Sequence, residues 1–250
     1  MRHIMIVVFL LSGCVAFAQE ASLQFGQANQ FYRSADYRQA AQMYEQVIRN
    51  GFESPELYYN LGNSYFKQQN VPAAILNFER AKRLSPNDDD INYNLRLANL
   101  RVVDKIEPIP RLFFMNWLSA FINLFSSDGW SVVVIILLWI SAFSGALIYT
   151  ARSVTVQRLI FILLLVTLLS GILSIIGMIQ RHNIEQNEKW AVIFAQTVSV
   201  KSAPDAQSTD LFVIHEGVKA EFLDSVGDWR KIRLADGKIG WLLMKEVELI

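Results

Sequence analysis

The stretch from Tyr58 to Pro86, YYNLGNSYFKQQNVPAAILNFERAKRLSP, decides the fold of the N-terminal part of this chain. Gly62 and Ala74 are small at the positions where two paired helices touch. Tyr65 and Phe78 are large where the space above that contact has to be filled. This ordering of small and large residues predicts two helices packed as a hairpin.

The same size pattern returns at a distance of 34 residues on both sides of this stretch, as in an array of repeats. After the stretch, Tyr93-Asn94-Leu95 corresponds to Tyr59-Asn60-Leu61, but Arg96 replaces the glycine. We expect this third unit to be a capping helix, because a terminal repeat has to cover the apolar surface of its neighbour. The residues of the preceding copy are Ala28, Phe31, Ala40, Tyr44 and Val47.

The spacing of these residues resembles the tetratricopeptide repeat family. The resemblance implies an α-solenoid over residues 20–104, with two repeats and a capping helix, whose first helices line a concave groove. Asparagines beside aromatic rings suit an extended peptide, because amides pair with its backbone while rings hold its side chains. A merely solvated or membrane-facing surface is the alternative. Helical spacing places the following residues in the groove: Phe25, Asn29, Tyr32, Tyr59, Asn63, Phe66, Tyr93 and Leu97.

Residues 128–150 and 159–180 are predicted to form two transmembrane helices. Each contains an uncharged apolar run long enough to cross the roughly 30 Å hydrocarbon core of a bilayer. The loop between them, residues 151–158, contains Arg152 and Arg158 and no acidic residue. The positive-inside rule therefore predicts a cytoplasmic loop.

The first 18 residues are typical of a secretory signal, with an apolar core and a cleavage site at Ala16-Phe17-Ala18. The alternative is a lipoprotein signal, because Leu11-Ser12-Gly13-Cys14 resembles the bacterial lipobox. Either leader, followed by two crossings, predicts a bacterial inner-membrane protein whose N-terminal and C-terminal domains both lie in the periplasm.

Residues 105–127 are predicted to form a linker and a short helix with an apolar, aromatic stripe and few charges. Such a stripe is typical of a helix lying in the bilayer interface. A helix packed on the repeat domain would show the same periodicity. The stripe consists of Phe113, Phe114, Trp117, Leu118, Phe121 and Leu124.

From residue 188 to residue 250 the pattern changes to short alternating runs, which predict five or six strands in a small β-barrel. Asp236-Gly237 is the strongest hairpin signal. Segments 197–204, 227–232 and 236–242 resemble the bacterial SH3 family, which implies binding of peptides or cell-wall material. Trp229 and Trp241 are the predicted ligand face, although burial in a small core would explain them equally well.

The sequence offers no catalytic site. Its 23 basic and 23 acidic residues balance, so a nucleic-acid partner is not expected. The histidines are His3, His182 and His215, and Cys14 in the leader is the one cysteine, so a thiol nucleophile would have no partner. The motifs of zinc hydrolases, P-loop nucleotide hydrolases and serine esterases are missing. We therefore predict a non-enzymatic protein with no catalytic residue, no cofactor and no metal.

The predicted fold class is multidomain α plus β: a tetratricopeptide-repeat α-solenoid, a two-helix transmembrane hairpin and a small SH3-like β-barrel. This order of modules resembles the BatE family of Bacteroides aerotolerance membrane proteins. The resemblance implies a scaffold in a membrane complex for aerotolerance or stress, with von Willebrand A-domain membrane proteins as partners. The alternative function is a sensor that binds peptidoglycan and signals through the transmembrane hairpin.

Overall fold

The computed structural model describes residues 22–110, 112–187 and 189–250. The predicted leader and Cys14 lie outside these residues. The described chain forms two compact units, and residues 85–87 and 110–189 make up the second of them. The first unit joins the helices before this segment to the strands after it.

Among the described residues, five helices form the N-terminal part of the first unit, called the helical module below. Consecutive helices pack against each other as hairpins. A Cβ atom on Gly62 would lie 2.7 Å from a ring carbon of Phe78, so only glycine lets these two helices approach this closely. The helices are α1 (22–33), α2 (Tyr37–Arg49), α3 (Pro55–Lys67), α4 (Val71–Leu84) and α5 (Asp89–Leu100).

Local side chains begin these helices. The carboxylate of Asp36 accepts from the backbone N–H of Gln39, and the Ser54 hydroxyl accepts from that of Leu57. At the predicted capping helix, Asp88 accepts from the backbone N–H groups of two residues in the first turn. Each contact satisfies helix N–H groups that have no partner inside the helix.

The first copy of the repeat differs from its pattern at one position. Ala28, Ala40, Tyr44 and Val47 are buried as the spacing predicts, but Phe31 is 37% exposed. Phe31 has no preceding helix among the described residues to cover its side of α1.

Seven antiparallel strands form the second part of the first unit, called the sheet module below. The six predicted strands are present, and β7 was not predicted because three residues are too few to show alternation. Gly237, in the predicted hairpin between β5 and β6, has a φ of +89°. In chain order the strands are β1 (Trp190–Ile193), β2 (Thr197–Lys201), β3 (Asp210–His215), β4 (Lys219–Val226), β5 (Trp229–Arg233), β6 (Ile239–Leu243) and β7 (Val247–Leu249).

The prediction of a closed barrel needs correction, because the sheet is open with the order β3-β2-β6-β5-β4-β1-β7. Its two edges bond to the helical module instead of to each other. At the β3 edge, the backbone N–H of His215 donates to a carboxylate oxygen of Asp104 at 2.6 Å. At the β7 edge, the guanidinium of Arg80 donates to the carbonyl oxygen of Leu249 at 2.9 Å.

The helical and sheet modules share one hydrophobic core. Buried side chains of α4 and the segment after α5, such as Ile75 and Val102, belong to the same cluster as Val192 and Ile232 of the sheet. Shared burial of this kind makes the two modules one structural unit rather than two domains on a flexible linker.

Charged pairs surround this shared core. The Lys219 ammonium lies 2.7 Å from a Glu79 carboxylate oxygen, and the His215 ring nitrogen Nδ1 lies 3.0 Å from an oxygen of Asp104. The Glu79 side chain is only 12% exposed, so water screens its attraction to Lys219 weakly.

The second unit contains α6 (Phe113–Ile122), α7 (Ser127–Thr150) and α8 (Val154–Asn187). By length and composition, α7 and α8 could both cross a membrane. Between them, the buried hydroxyl of Ser141 donates to that of Thr167 at 2.8 Å. The 34 residues of α8 extend about 51 Å, which exceeds the roughly 30 Å hydrocarbon core.

Helix α8 begins inside the segment that the sequence predicts as a loop, which leaves residues 151–153 as the link to α7. The sequence prediction placed the start of this helix directly after Arg158, where the uncharged run begins. Such a run marks the part of a helix that fits the hydrocarbon, whereas the helix itself continues as long as its backbone hydrogen bonds do.

Helix α6 exposes most of its apolar side chains and is fixed at its C-terminal end. The indole N–H of Trp130 donates to the carbonyl oxygen of Ile122 at 3.0 Å, and the Phe121 and Trp130 rings pack with centroids 5.1 Å apart. The guanidinium of Arg181 donates to the side-chain oxygen of Asn123 at 2.8 Å. These contacts hold the end of α6 against both long helices of the second unit.

Candidate recognition surfaces

The predicted groove lies along α1, α3 and α5, and pairs of asparagines connect these neighbouring helices. The Asn60 amide nitrogen donates to the side-chain oxygen of Asn29 at 3.1 Å, and that of Asn94 donates to Asn63 at the same distance. The two pairs are related by the 34-residue repeat, since Asn29 corresponds to Asn63 and Asn60 to Asn94. The structure thus repeats one polar contact along the groove.

These contacts use the side-chain oxygens of Asn29 and Asn63, the two asparagines that the sequence assigned to ligand binding. The oxygen of Asn29 also accepts from the Tyr44 hydroxyl at 2.5 Å, and the nitrogen of Asn94 also donates to the Tyr59 hydroxyl at 2.8 Å. The amide nitrogens of Asn29 and Asn63 have no hydrogen-bond partner among residues 22–110, 112–187 and 189–250. A peptide backbone carbonyl could accept from either.

The aromatic residues assigned to the groove differ in accessibility. Tyr93 is 55% exposed, whereas Tyr59 packs against buried residues of two core clusters. The Phe66 ring lies under the guanidinium carbon of Arg101 at 4.4 Å. Tyr93 is therefore the aromatic side chain most available to a ligand at the α5 end of the groove.

At the α1 end, the groove residues support one another. The rings of Phe25 and Tyr44 pack with centroids 5.7 Å apart, and those of Tyr32 and Tyr37 with centroids 5.3 Å apart. Leu97, on α5, is half-buried. The groove therefore combines fixed rings with unpaired amide hydrogens.

Buried phenols stabilise the helical module beneath these surfaces. Burial raises the pKa of Tyr44 to about 12. Burial, together with the hydrogen bond from its hydroxyl to Glu53, raises the pKa of Tyr58 to about 12. Both phenols therefore remain neutral donors throughout the physiological pH range.

Trp229 and Trp241 lie on the same face of the sheet. Trp229 is opposite Leu243 in the β5–β6 ladder, and Trp241 is opposite Lys231. Residues opposite each other share a face, so the two indoles are diagonal neighbours, about 7–8 Å apart at the backbone. The buried residue Ile232 lies on the other face, against the core. Both tryptophans are half-buried.

Sequence reasoning missed a cation beside the Trp241 ring. The Lys231 ammonium lies 5.6 Å from the centre of the Trp241 ring. Alternation along WRKIR could have placed Lys231 beside Trp229, but only the register with β6 adds Trp241. The name tryptophan face is used below for Trp229, Lys231 and Trp241. Its rings can stack on a flat ligand while its ammonium binds an anion.

Among the residues that the structure describes, no group of three or more His, Cys, Asp or Glu side chains could hold a metal ion. The one histidine–carboxylate pair described above, His215 with Asp104, joins the two modules.

Two segments match known families. Residues 25–89 match the tetratricopeptide repeat, and residues 196–248 match the bacterial SH3 domain. These matches confirm the two predicted types of module. No curated protein matches the chain. The resemblance of the entire chain to the BatE family stays a prediction.

Proposed function

We propose that this chain is a membrane-anchored adaptor without enzymatic activity, which binds proteins or peptides through the groove of its helical module and the tryptophan face of its sheet module. Tetratricopeptide repeats and bacterial SH3 domains are typically non-catalytic binding modules. The observation that carries the proposal is the shared core, because it holds both surfaces in one fixed orientation. Two linked surfaces bind a shared partner more tightly than either binds alone.

The proposal includes anchoring in the inner membrane by α7 and α8, with both modules in the periplasm. Support comes from chain order: the helical module precedes the two apolar helices, the sheet module follows them, and the modules pack on each other. Packing of this kind requires both modules to lie on one side of the membrane, which two crossings allow. The basic link between the helices favours the cytoplasm for the opposite side.

Labelling of single cysteines tests this topology. Lys67→Cys and Gln207→Cys lie at exposed positions of the two modules, and Ser153→Cys lies in the link between α7 and α8. In intact spheroplasts, a membrane-impermeant maleimide should label the first two variants but should label Ser153→Cys only after lysis. The unmodified chain measures any reaction of its own Cys14. Labelling of Ser153→Cys in intact spheroplasts would exclude the proposed orientation.

Photo-crosslinking in membranes tests adaptor function. A photoreactive amino acid at Tyr93 or Trp229 should capture proteins that the same amino acid at Gln42, an exposed position on α2, does not capture. Affinity purification of Tyr93→Ala should lose the groove partners. Identical captures at all three positions would contradict both recognition surfaces.

The proposed α6 contact is the bilayer interface. Most side chains of α6 are apolar, and Trp117 exposes 75% of its surface. It is packed at one end against the two helices that could cross the membrane, which supports lipid as its surroundings. The chain has 6 tryptophans, so the fluorescence of Trp117 alone cannot be followed. A polarity-sensitive dye attached to Trp117→Cys therefore reports the surroundings of α6. An emission spectrum unchanged by vesicle lipid would contradict the contact.

The tryptophan face supports peptidoglycan binding as a second function, in which the chain senses the cell wall. Aromatic rings stack on sugar faces, and Lys231 could bind the carboxylates of the stem peptides. Sedimentation with purified peptidoglycan should retain the wild type and lose Trp241→Ala, whereas Tyr93→Ala should still sediment. Recovery of membrane proteins without peptidoglycan would favour the adaptor alone.

The proposal extends to a Bat-type complex for aerotolerance or stress, with von Willebrand A-domain membrane proteins as the partners. Its support is the order of modules that resembles the BatE family. Purification of the tagged chain from native membranes should recover A-domain proteins. Their consistent absence from the purified complex would leave the adaptor without this particular role.

A further inference from the structure

Each helix that lines the groove ends on an apolar residue followed by a basic one. Successive pairs are 34 residues apart, so they hold the same position in each repeat. All three basic side chains are exposed. The pairs are Tyr32-Arg33 in α1, Phe66-Lys67 in α3 and Leu100-Arg101 at the end of α5. The name basic row is used below for Arg33, Lys67 and Arg101.

The basic row lies on the groove side of its helices. Arg33 follows the groove residue Asn29 by four positions, and residues four apart share one face of a helix. Lys67 follows Asn63 in the same way. A ligand that lies across α1, α3 and α5 beside these asparagines therefore meets the basic row one helical turn further along.

Arg101 is held over the groove by an aromatic ring. Its guanidinium carbon lies 4.4 Å from the centre of the Phe66 ring, which belongs to the neighbouring helix α3. Stacking uses the flat face of a guanidinium, whereas its N–H donors point outward in the plane of the group. Since Arg101 is exposed, these donors are accessible to a bound anion.

The cations of the basic row have no acidic partner within the described chain. Their charged groups form no hydrogen bond and no ion pair with residues 22–110, 112–187 and 189–250. Two acids that follow the row in the sequence have other partners. Asp36 accepts from the backbone N–H of Gln39, and Asp104 accepts from the backbone N–H of His215.

Acidic residues occupy the opposite end of the groove. Glu56 and Asp90 lie in the first turns of α3 and α5 and are also 34 residues apart. Glu56 precedes Lys67 by 11 residues, which is about 16 Å along a helix. That distance exceeds the roughly 10 Å over which charges in salt solution interact strongly. The groove therefore has a positive end and a negative end.

The helix dipole alone does not explain these free cations. The dipole favours a basic residue in the last turn of any helix, and α2 and α4 also have one there. Those residues are bonded within the protein. Arg49 of α2 pairs with Glu45 at 3.6 Å, and Arg83 of α4 donates to the carbonyl oxygen of Ile250 at 3.1 Å. The basic row differs because its charges are left available.

The spacing of the basic row suits an extended chain. Asparagine contacts join α1 to α3 and α3 to α5, so these helices are neighbours. Neighbouring helices pack about 8–10 Å apart, which sets the spacing of the three cations. A polyproline II segment has three residues per turn and rises about 3.1 Å per residue. Every third side chain therefore lies on one side of such a segment, about 9 Å from the next.

We propose that the groove binds an acidic segment of a partner protein, extended across α1, α3 and α5, with a carboxylate at every third position facing the basic row. The apolar member of each pair contacts the side chains between the carboxylates. The amide nitrogens of Asn29 and Asn63 donate to backbone carbonyl oxygens of the segment. This inference rests on the proposed adaptor function and names the partner chemistry of its groove.

Calorimetry with the full chain in phosphatidylcholine nanodiscs tests the acidic segment. The probe is an acetylated and amidated peptide of three Glu-Pro-Leu triplets, which has no terminal charge. We expect it to bind about tenfold more tightly than the matched peptide with glutamine in place of glutamate, since three exposed charge pairs are lost. Binding of the glutamate peptide should weaken as salt is raised.

Variants of the basic row identify the residues that bind. Lys67→Gln should bind the glutamate peptide about two- to fivefold more weakly, as expected for the loss of one exposed charge pair. The triple variant Arg33→Gln, Lys67→Gln, Arg101→Gln should lose about tenfold or more. Arg49→Gln is the matched control, because it removes a cation from the end of a helix outside the groove, and it should bind like the wild type.

Four results would each overturn the proposal. They are equal affinity for the glutamate and glutamine peptides, wild-type affinity of the triple variant, an equal loss in Arg49→Gln, and competition by dihexanoyl-phosphatidylglycerol, which would assign the basic row to anionic lipid. If the triple variant does not fold, Lys67→Gln provides the measurement.

Photo-crosslinking at Tyr93 separates failure of this proposal from failure of the adaptor function. A chain that captures proteins at Tyr93 but does not bind the glutamate peptide would still be an adaptor, with a partner of different chemistry. A chain that binds the peptide through the basic row but captures no protein at Tyr93 would confirm the recognition chemistry and count against the adaptor function.

Discussion

Replacement of Gly217 by alanine should separate the helical module from the sheet module. Gly217 has a φ of +85°, and an added Cβ atom would lie 2.9 Å from Val102 and 3.4 Å from Ile75. The left-handed backbone costs an L-residue about 1–2 kcal/mol. Overpacking against Val102 adds about 1–3 kcal/mol. We therefore expect Gly217→Ala to destabilise the unit by about 2–5 kcal/mol in total.

Gly227 provides a matched control for the backbone part of this cost. Its φ is +54°, and nothing lies within 4 Å of the position of an added Cβ atom. Gly227→Ala should therefore cost only about 1–2 kcal/mol. The difference between the two variants measures the contact between the modules.

Hydrogen exchange of the full chain in nanodiscs, read by mass spectrometry, measures both variants. We expect Gly217→Ala to lower the opening free energy of amides in α4 as well as in β1, because both elements contribute to the shared core. Val102→Ala in the Gly217→Ala background should recover part of the loss. Equal losses in the two glycine variants, or unchanged protection of α4, would refute the coupling.

Three further outcomes test the packing, the ion pair and the phenols. Gly62→Ala should destabilise the helical module by about 1–3 kcal/mol in urea unfolding, because the new methyl group meets the buried Phe78 ring. Gly26→Ala is the control and should not destabilise it, because nothing lies within 4 Å of the added Cβ atom. Glu79→Gln should cost about 1–3 kcal/mol by leaving Lys219 without its charged partner. In a double-mutant cycle with Lys219→Met, that coupling should change little between low and high salt, because the Glu79 side chain is only 12% exposed. Folding raises the pKa of Tyr44 from 10.0 to about 12, so the contribution of this phenol to the free energy of unfolding is fully present below pH 10 and is lost as pH rises towards 12. In an ultraviolet absorbance titration, Tyr44→Phe should remove one phenol that titrates late.

Contacts between residues close in sequence were predicted well. The packing of Gly62 on Phe78 follows from spacing within one repeat, because helical geometry places such residues together. The hairpin at Asp236-Gly237 follows from local backbone preference. The matches to the tetratricopeptide repeat and the bacterial SH3 domain agree with these patterns.

The candidate surfaces were predicted only in part. Helical spacing selects residues for one face of α1, α3 and α5, but it does not tell which amides pair across helices, as Asn63 and Asn94 do. Alternation puts Trp229 and Trp241 at outward positions of their own strands, but only strand register brings Lys231 opposite Trp241. Pairing across elements depends on the relative position of elements, which spacing within one element does not contain.

From the sequence alone came the repeat, the apolar helices, the strands and the lack of catalytic motifs, because each depends on residues near one another in the chain. Only the tertiary structure decided that the sheet stays open, that its edges bond to the helical module, and that the two modules share one hydrophobic core. Asp104 and His215, which join the modules, are 111 residues apart with both apolar helices between them. No local preference encodes such a contact, because it forms only when complementary surfaces exclude water together.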